Sequence, residues 1–117
     1  DVEIDVWYHN GLFMLGHDLP QYKFPFDLLL NYYSKLWIHC KNIDALVQFQ
    51  NTDSLYSRLN YFWHEKDTVT LTSKNYIWVY PGKQPIPNSI AVMPELNDDI
   101  TTECIGVCSD YIKSFNK

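Results

Sequence analysis

Asp1-Val2-Glu3-Ile4-Asp5-Val6-Trp7, followed after Tyr8-His9 by Asn10-Gly11 and Leu12-Phe13-Met14-Leu15-Gly16, reads as two β-strands joined by a tight turn. Alternation along a strand puts Val2, Ile4 and Val6 on one face and Glu3 with Asp5 on the other. Asn-Gly between such runs is the signature of a two-residue hairpin, because a type I′ turn requires positive φ at both central positions. Two carboxylates one strand repeat apart, roughly 7 Å, are costly on a buried strand unless a cation neutralises them or water reaches them. A hard divalent metal satisfies the first condition, and a hydrated edge strand the second.

A later run repeats the pattern. In Trp37-Ile38-His39-Cys40-Lys41-Asn42 the apolar face carries Ile38 and Cys40 and the polar face His39 and Lys41. His39 can give a ring nitrogen to a metal or bond a phosphate, and Lys41 offers a point charge to a phosphoryl oxygen. Taken alone, His39 also reads as a structural histidine and Lys41 as a solvated surface lysine. Between the two strands, Leu15-Gly16-His17-Asp18-Leu19-Pro20 places His17 where the chain leaves the hairpin. An unperturbed imidazole pKa near ~6.5 suits general acid or base work at neutral pH, with Asp18 beside it to orient the ring. His64, closing Tyr61-Phe62-Trp63-His64, is a further candidate, whereas His9 beside the turn is expected to be exposed and idle.

Eight strand-like runs, rich in β-branched and aromatic residues, are expected at 2–7, 12–16, 36–41, 61–64, 68–72, 76–80, 90–94 and 105–109. A helix is expected over 42–59, where Ile43, Leu46, Val47 and Phe49 recur at helical spacing and Asn42 is placed to cap. Shorter helical pieces are expected over 27–33 and 111–115. Strands separated by short connectors suggest an α/β arrangement of mostly parallel strands in one domain spanning 1–117, with a reduced or truncated TIM-type (β/α) barrel as the leading architecture. A full barrel usually takes about 250 residues, and roughly 200 at the low end, so the helices of a 117-residue version would be heavily shortened.

Composition narrows the partners. The net charge is −5 and the nine Lys and Arg form no cluster, which argues against a surface that tracks nucleic-acid phosphates. An aromatic content of 16% exceeds what a small core needs and leaves rings for a pocket, lined by Trp37, Trp63, Trp78 and Tyr80 if the chain only binds its ligand; Trp37, His64, Trp78 and Tyr80 are the expected substrate contacts. Cys40, Cys104 and Cys108 make no C-x-x-C pair, and a buried, inert thiol is the ordinary reading of Cys40 and Cys108. No run approaches the roughly 18 apolar residues of a membrane span, so no integral membrane segment is expected and a soluble, cytoplasmic location is the default. Asp1 begins directly on strand-like sequence, as expected of a fragment or a processed chain.

Glu3-Ile4-Asp5, a hairpin, Gly16-His17-Asp18 and then a strand with His39 and Lys41 resemble, in order and spacing, the glycerophosphodiester phosphodiesterase family of the phosphatidylinositol-phosphodiesterase-like TIM barrels. That family carries an E-x-D pair, a downstream H-D and an E-x-K strand. Less specifically, Tyr76-Ile77-Trp78-Val79-Tyr80 looks like a late strand of the family, and Gly106-Val107-Cys108-Ser109-Asp110-Tyr111 like its closing G-x-x-T-D-x-P segment. The resemblance implies that Glu3 and Asp5 are metal ligands, that His17 is one of two catalytic histidines and that Lys41 contacts the phosphate. It implies a bound Mg²⁺ or Ca²⁺ and a small phosphodiester substrate such as a glycerophosphodiester, in lipid metabolism. A relative repurposed to bind a phosphorylated ligand or sugar, and a phospholipase-D-like lyase of the same superfamily, share these residues.

Three features depart from the family. Its H-R-G strand, the first of the barrel, has no counterpart before Glu3. His39 stands where the family has a third acidic ligand, which moves metal preference towards ions that tolerate nitrogen. Ser109 and Ile112 replace the closing Thr and Pro.

Overall fold

The turn at Asn10-Gly11 has φ of +52° and +76°, the left-handed pair that a type I′ hairpin demands. It joins β1 (Val2–His9) to β2 (Leu12–Leu15), with His9 opposite Leu12 and Val6 opposite Leu15. This computed structural model describes residues 1–24, 26–51 and 58–115. They divide into two units, Asp1–Glu65 and Lys66–Lys117.

In the first unit, β3 (Tyr22–Lys23) continues the hairpin on its outer side, while β4 (Leu36–Cys40) and β5 (Asn60–Trp63) extend it on the other. The sheet order is β3-β2-β1-β4-β5, antiparallel on the hairpin side and parallel from β1 through β5. Two helices, α1 (Phe26–Tyr32) and α2 (Ile43–Asn51), accompany it. The apolar face of the sheet supplies Val6, Leu36, Ile38 and Cys40 to a buried cluster with Leu29 of α1, Ala45 and Phe49 of α2, and Leu59. Phe49 stacks on Phe13 at 4.8 Å and on Tyr61 at 5.7 Å, so α2 bridges the hairpin and the last strand. The expected helix over 42–59 is described as far as Asn51, and 52–57 lie outside the described residues.

Asn42 holds this arrangement at one point. Its Oδ1 accepts from the Ala45 N–H at 3.0 Å, the expected N-cap, and also from the Tyr8 N–H at 3.2 Å, while its Nδ2 donates to the Tyr8 carbonyl at 3.0 Å. Asn42→Ala therefore removes a helix cap and a clasp on β1 together. We expect it to lower stability by about 2 kcal/mol, read as a shifted midpoint in urea at unchanged slope.

In the second unit, β6 (Val69–Leu71) pairs antiparallel with β7 (Ile77–Val79), which is followed in parallel by β8 (Ser89–Val92) and β9 (Gly106–Cys108). Strand β8 is buried throughout, as a strand between two parallel neighbours usually is. Short 3₁₀ turns at Pro94–Leu96 and Ile112–Phe115 stand where longer helices would belong in a (β/α) repeat.

The TIM-type barrel expected from the sequence is not formed. The strands make two open sheets of five and four, with β3, β5, β6 and β9 at the edges. Among the described residues the sheets are mixed rather than the all-parallel ring of a barrel, with four pairings parallel and three antiparallel. The reason is connector length. Parallel neighbours need a crossover of about a dozen residues or more, usually helical. The β1–β2, β2–β3 and β6–β7 links are too short for that and fold back as antiparallel turns, whereas β7–β8 runs parallel across only nine residues (80–88) and β8–β9 across thirteen (93–105), neither link carrying an α-helix. Among the described residues no helix is long and apolar enough to cross a membrane.

Candidate functional site

The parallel pairing of β1 with β4 sets Asp5 directly opposite His39 and Glu3 opposite Trp37, and the next pairing sets His39 opposite Phe62. Because Val6, Ile38 and Cys40 are committed to the core, alternation sends Glu3, Asp5, His39 and, one strand further, Asn60, Phe62 and His64 to the opposite face. Lys41 continues this face. Its N–H donates to the Val6 carbonyl at 2.8 Å and prolongs the ladder past the end of β4.

One donor atom each from Glu3, Asp5 and His39 lies within 4.8 Å of the other two. His39 Nδ1 stands 3.2 Å from Asp5 Oδ1 and 4.0 Å from Glu3 Oε1. The imidazole is only 7% exposed and cannot swing away. Phe62 lies nearly parallel to it at 5.1 Å and His64 at 4.2 Å.

Burial, followed by the hydrogen bond and the like charge of Asp5, pushes the Glu3 carboxyl up to about 9, against a smaller opposing pull from Lys41. For Asp5, burial works to raise the pKa, but hydrogen bonds from His39 and Glu3 and the charges of His39 and Lys41 together hold it below its ordinary value. Burial and the neighbouring carboxyl thus favour the protonated form of Glu3, while its partners favour the ionised form of Asp5. Two carboxylates and an imidazole form a donor set suited to a divalent cation. Donors at about 2.1 Å from one ion stand about 3–3.4 Å apart; the Asp5–His39 pair has that spacing at 3.2 Å, and the Glu3–His39 pair is wider at 4.0 Å.

His17 is outside this cluster. It is 80% exposed, and its Nδ1 lies 3.0 Å from Asp18 Oδ1, the expected orienting contact. Gly16 ties the segment to β1, because its N–H donates to the Asp5 carbonyl at 3.2 Å and its carbonyl accepts from Trp7 Nε1 at 2.6 Å. A Cβ at Gly16 would meet the Leu19 carbonyl oxygen at 1.9 Å, so the turn that sets down His17 requires glycine. His9 is exposed beside the hairpin turn, and burial pushes the Cys40 thiol up to about 12, far from reactive.

The expected aromatic pocket divides differently. Trp37 is on the site face, with its Nε1 donating to Asp1 Oδ2 at 3.2 Å, and His64 is stacked on His39. Trp63 points the other way and packs against the hydrophobic core. Trp78 and Tyr80 belong to the second unit, Trp78 buried in β7 and Tyr80 just beyond it.

Two residues on the site face carry no part of the sequence reading. Phe62 is the ring that backs His39, and Asn60 is buried with a side-chain oxygen that accepts no hydrogen bond among the described residues. Their signal was the alternation Asn60-Tyr61-Phe62-Trp63-His64, which aligns both with His64 once β5 is taken to begin at Asn60.

No family model matches the chain, and neither a curated protein nor a solved structure does.

Proposed function

We propose that the chain hydrolyses a small phosphodiester at a divalent-cation site formed by Glu3, Asp5 and His39. The observation that carries this reading is the convergence of these three donors within 4.8 Å beside Lys41. The cation, when bound, supplies positive charge to a phosphoryl oxygen as the transition state develops. The reading rests on the site and on the order of the Glu3-x-Asp5, His17-Asp18 and His39-x-Lys41 elements, not on barrel architecture.

Lys41 has the second role. Its charge already acts on both carboxyl groups, so an anionic substrate drawn to this face meets the ammonium at the same place. His17, exposed and paired with Asp18, is the proton carrier for the leaving alcohol, on a turn held to β1 by Gly16. A glycerophosphodiester is the substrate class that the motif order implies.

The test is release of alcohol from glycerophosphocholine and from a chromogenic diester while divalent cations are titrated. We expect cation-dependent turnover, and for Lys41→Met a fall in kcat/KM of about a hundredfold with cation affinity retained. Cation binding without turnover of any diester would reject the hydrolase reading and favour a module that only binds its ligand.

A further inference from the structure

We infer that the Glu3, Asp5 and His39 site selects a borderline transition ion, in the series from Fe²⁺ to Zn²⁺, over Ca²⁺ and Mg²⁺, with His39 as the discriminating ligand. This rests on the cation site proposed above and names the class of ion that occupies it.

Ligand chemistry comes first. Ca²⁺ takes six to eight oxygen donors and Mg²⁺ a near-ideal octahedron of oxygens, and neither gains much from an imidazole. Imidazole suits Zn²⁺, Fe²⁺ and their neighbours, whose affinity for nitrogen-bearing sites exceeds that of the hard ions. Among the described residues no other carboxylate joins the cluster, so a hard ion would find two acidic ligands and a nitrogen in place of a third.

His39 is also held in place. Phe62 at 5.1 Å and His64 at 4.2 Å pack against its ring at interplanar angles of 9° and 16°. With Nδ1 aimed at Asp5, the ring cannot rotate out to let water oxygens substitute for it. A fixed nitrogen favours ions that bond to it and penalises those that would replace it.

Charge points the same way. Affinity for Ca²⁺ follows the number of negative ligands, and Lys41 acts electrostatically on both Glu3 and Asp5. It therefore offsets part of the field that would draw in a hard cation. A bond from imidazole to a transition ion depends less on that field.

The experiment titrates Co²⁺ into the full chain, follows its visible d–d absorption, and competes it with Zn²⁺, Mn²⁺, Mg²⁺ and Ca²⁺. We expect one Co²⁺ per chain, displaced by Zn²⁺ near equivalence and by Mg²⁺ or Ca²⁺ only at about a hundredfold excess or more. Displacement by equimolar Mg²⁺ or Ca²⁺ would overturn the selectivity while leaving the cation site standing. Failure of every ion to bind would remove the site itself. Glu3→Gln locates the signal, and a Co²⁺ band that survives this change would place the ion elsewhere and overturn the assignment. His39→Asp, checked for folding by its melting curve, should weaken Co²⁺ and strengthen Mg²⁺ or Ca²⁺ by about tenfold each. The wild-type competition decides the question even if that variant does not fold.

Discussion

Glu3→Gln is expected to lower divalent-cation affinity by at least about a hundredfold, since even the outer partners of metal ligands are worth about 10–100-fold when removed. Diester turnover should fall with it. Glutamine keeps the shape and hydrogen bonding of the neutral carboxyl that burial beside Asp5 favours, but it cannot become the anion that a cation requires. The variant should therefore fold normally, and without cation it should melt at or above the wild-type temperature at pH 7. Calorimetric titration alongside a melting curve separates loss of ligation from loss of structure. Undiminished affinity in a folded Glu3→Gln chain would sink the site.

The second large effect is on stability against pH in the absence of cation. Glu3 has its pKa raised from the usual 4.5 to about 9 in the folded chain. Between those values the folded state holds a proton that the unfolded state has released, so stability falls as pH rises through this window. The steepest slope a single such group allows is about 1.4 kcal/mol per pH unit. Asp5 acts in the opposite sense. Its lowered pKa contributes stability present above the usual 3.8 and lost as pH falls further. Cation-free protein should thus be most stable near pH 4 to 5 and weaken towards pH 9. Denaturant midpoints measured at intervals across this range test the prediction. Glu3→Gln should flatten the alkaline side, and saturating cation should do the same by replacing the proton. A wild-type profile that rises from pH 5 to 9 would show that Glu3 is ionised in the folded chain.

The local elements were legible because their signals are local. Asn10-Gly11 dictates positive φ at two successive positions, and the hairpin follows. Asn42 ahead of an apolar-periodic run produces the cap at Ala45. All eight expected strand runs contain strands, since β-branched and aromatic alternation is itself the physical preference for a pleated, half-buried surface. The one strand without an expectation, β3, has only two residues and both are exposed, too short for alternation to register.

The site was half legible. Alternation alone placed Glu3 with Asp5, and His39 with Lys41, on common faces. That these faces coincide required the β1–β4 register, because a slip of one residue would have sent His39 to the core and Cys40 to the carboxylates. Trp63 shows the opposite error. It was grouped with Trp37 by residue type, but its place one residue from Phe62 on β5 turns it into the core.

The sequence by itself determined the hairpin, the capped helix, the strands and the pairing of acid with acid and histidine with lysine, because each depends on neighbours within a few positions. Tertiary structure decided the rest. Whether strands close into a barrel or stay as two open sheets depends on which edges meet, a property of crossover length and long-range pairing that strand propensity does not encode. It also brought Phe62 and His64 against His39 and pushed the Glu3 pKa upward, because burial and stacking arise only where segments distant in the chain pack together.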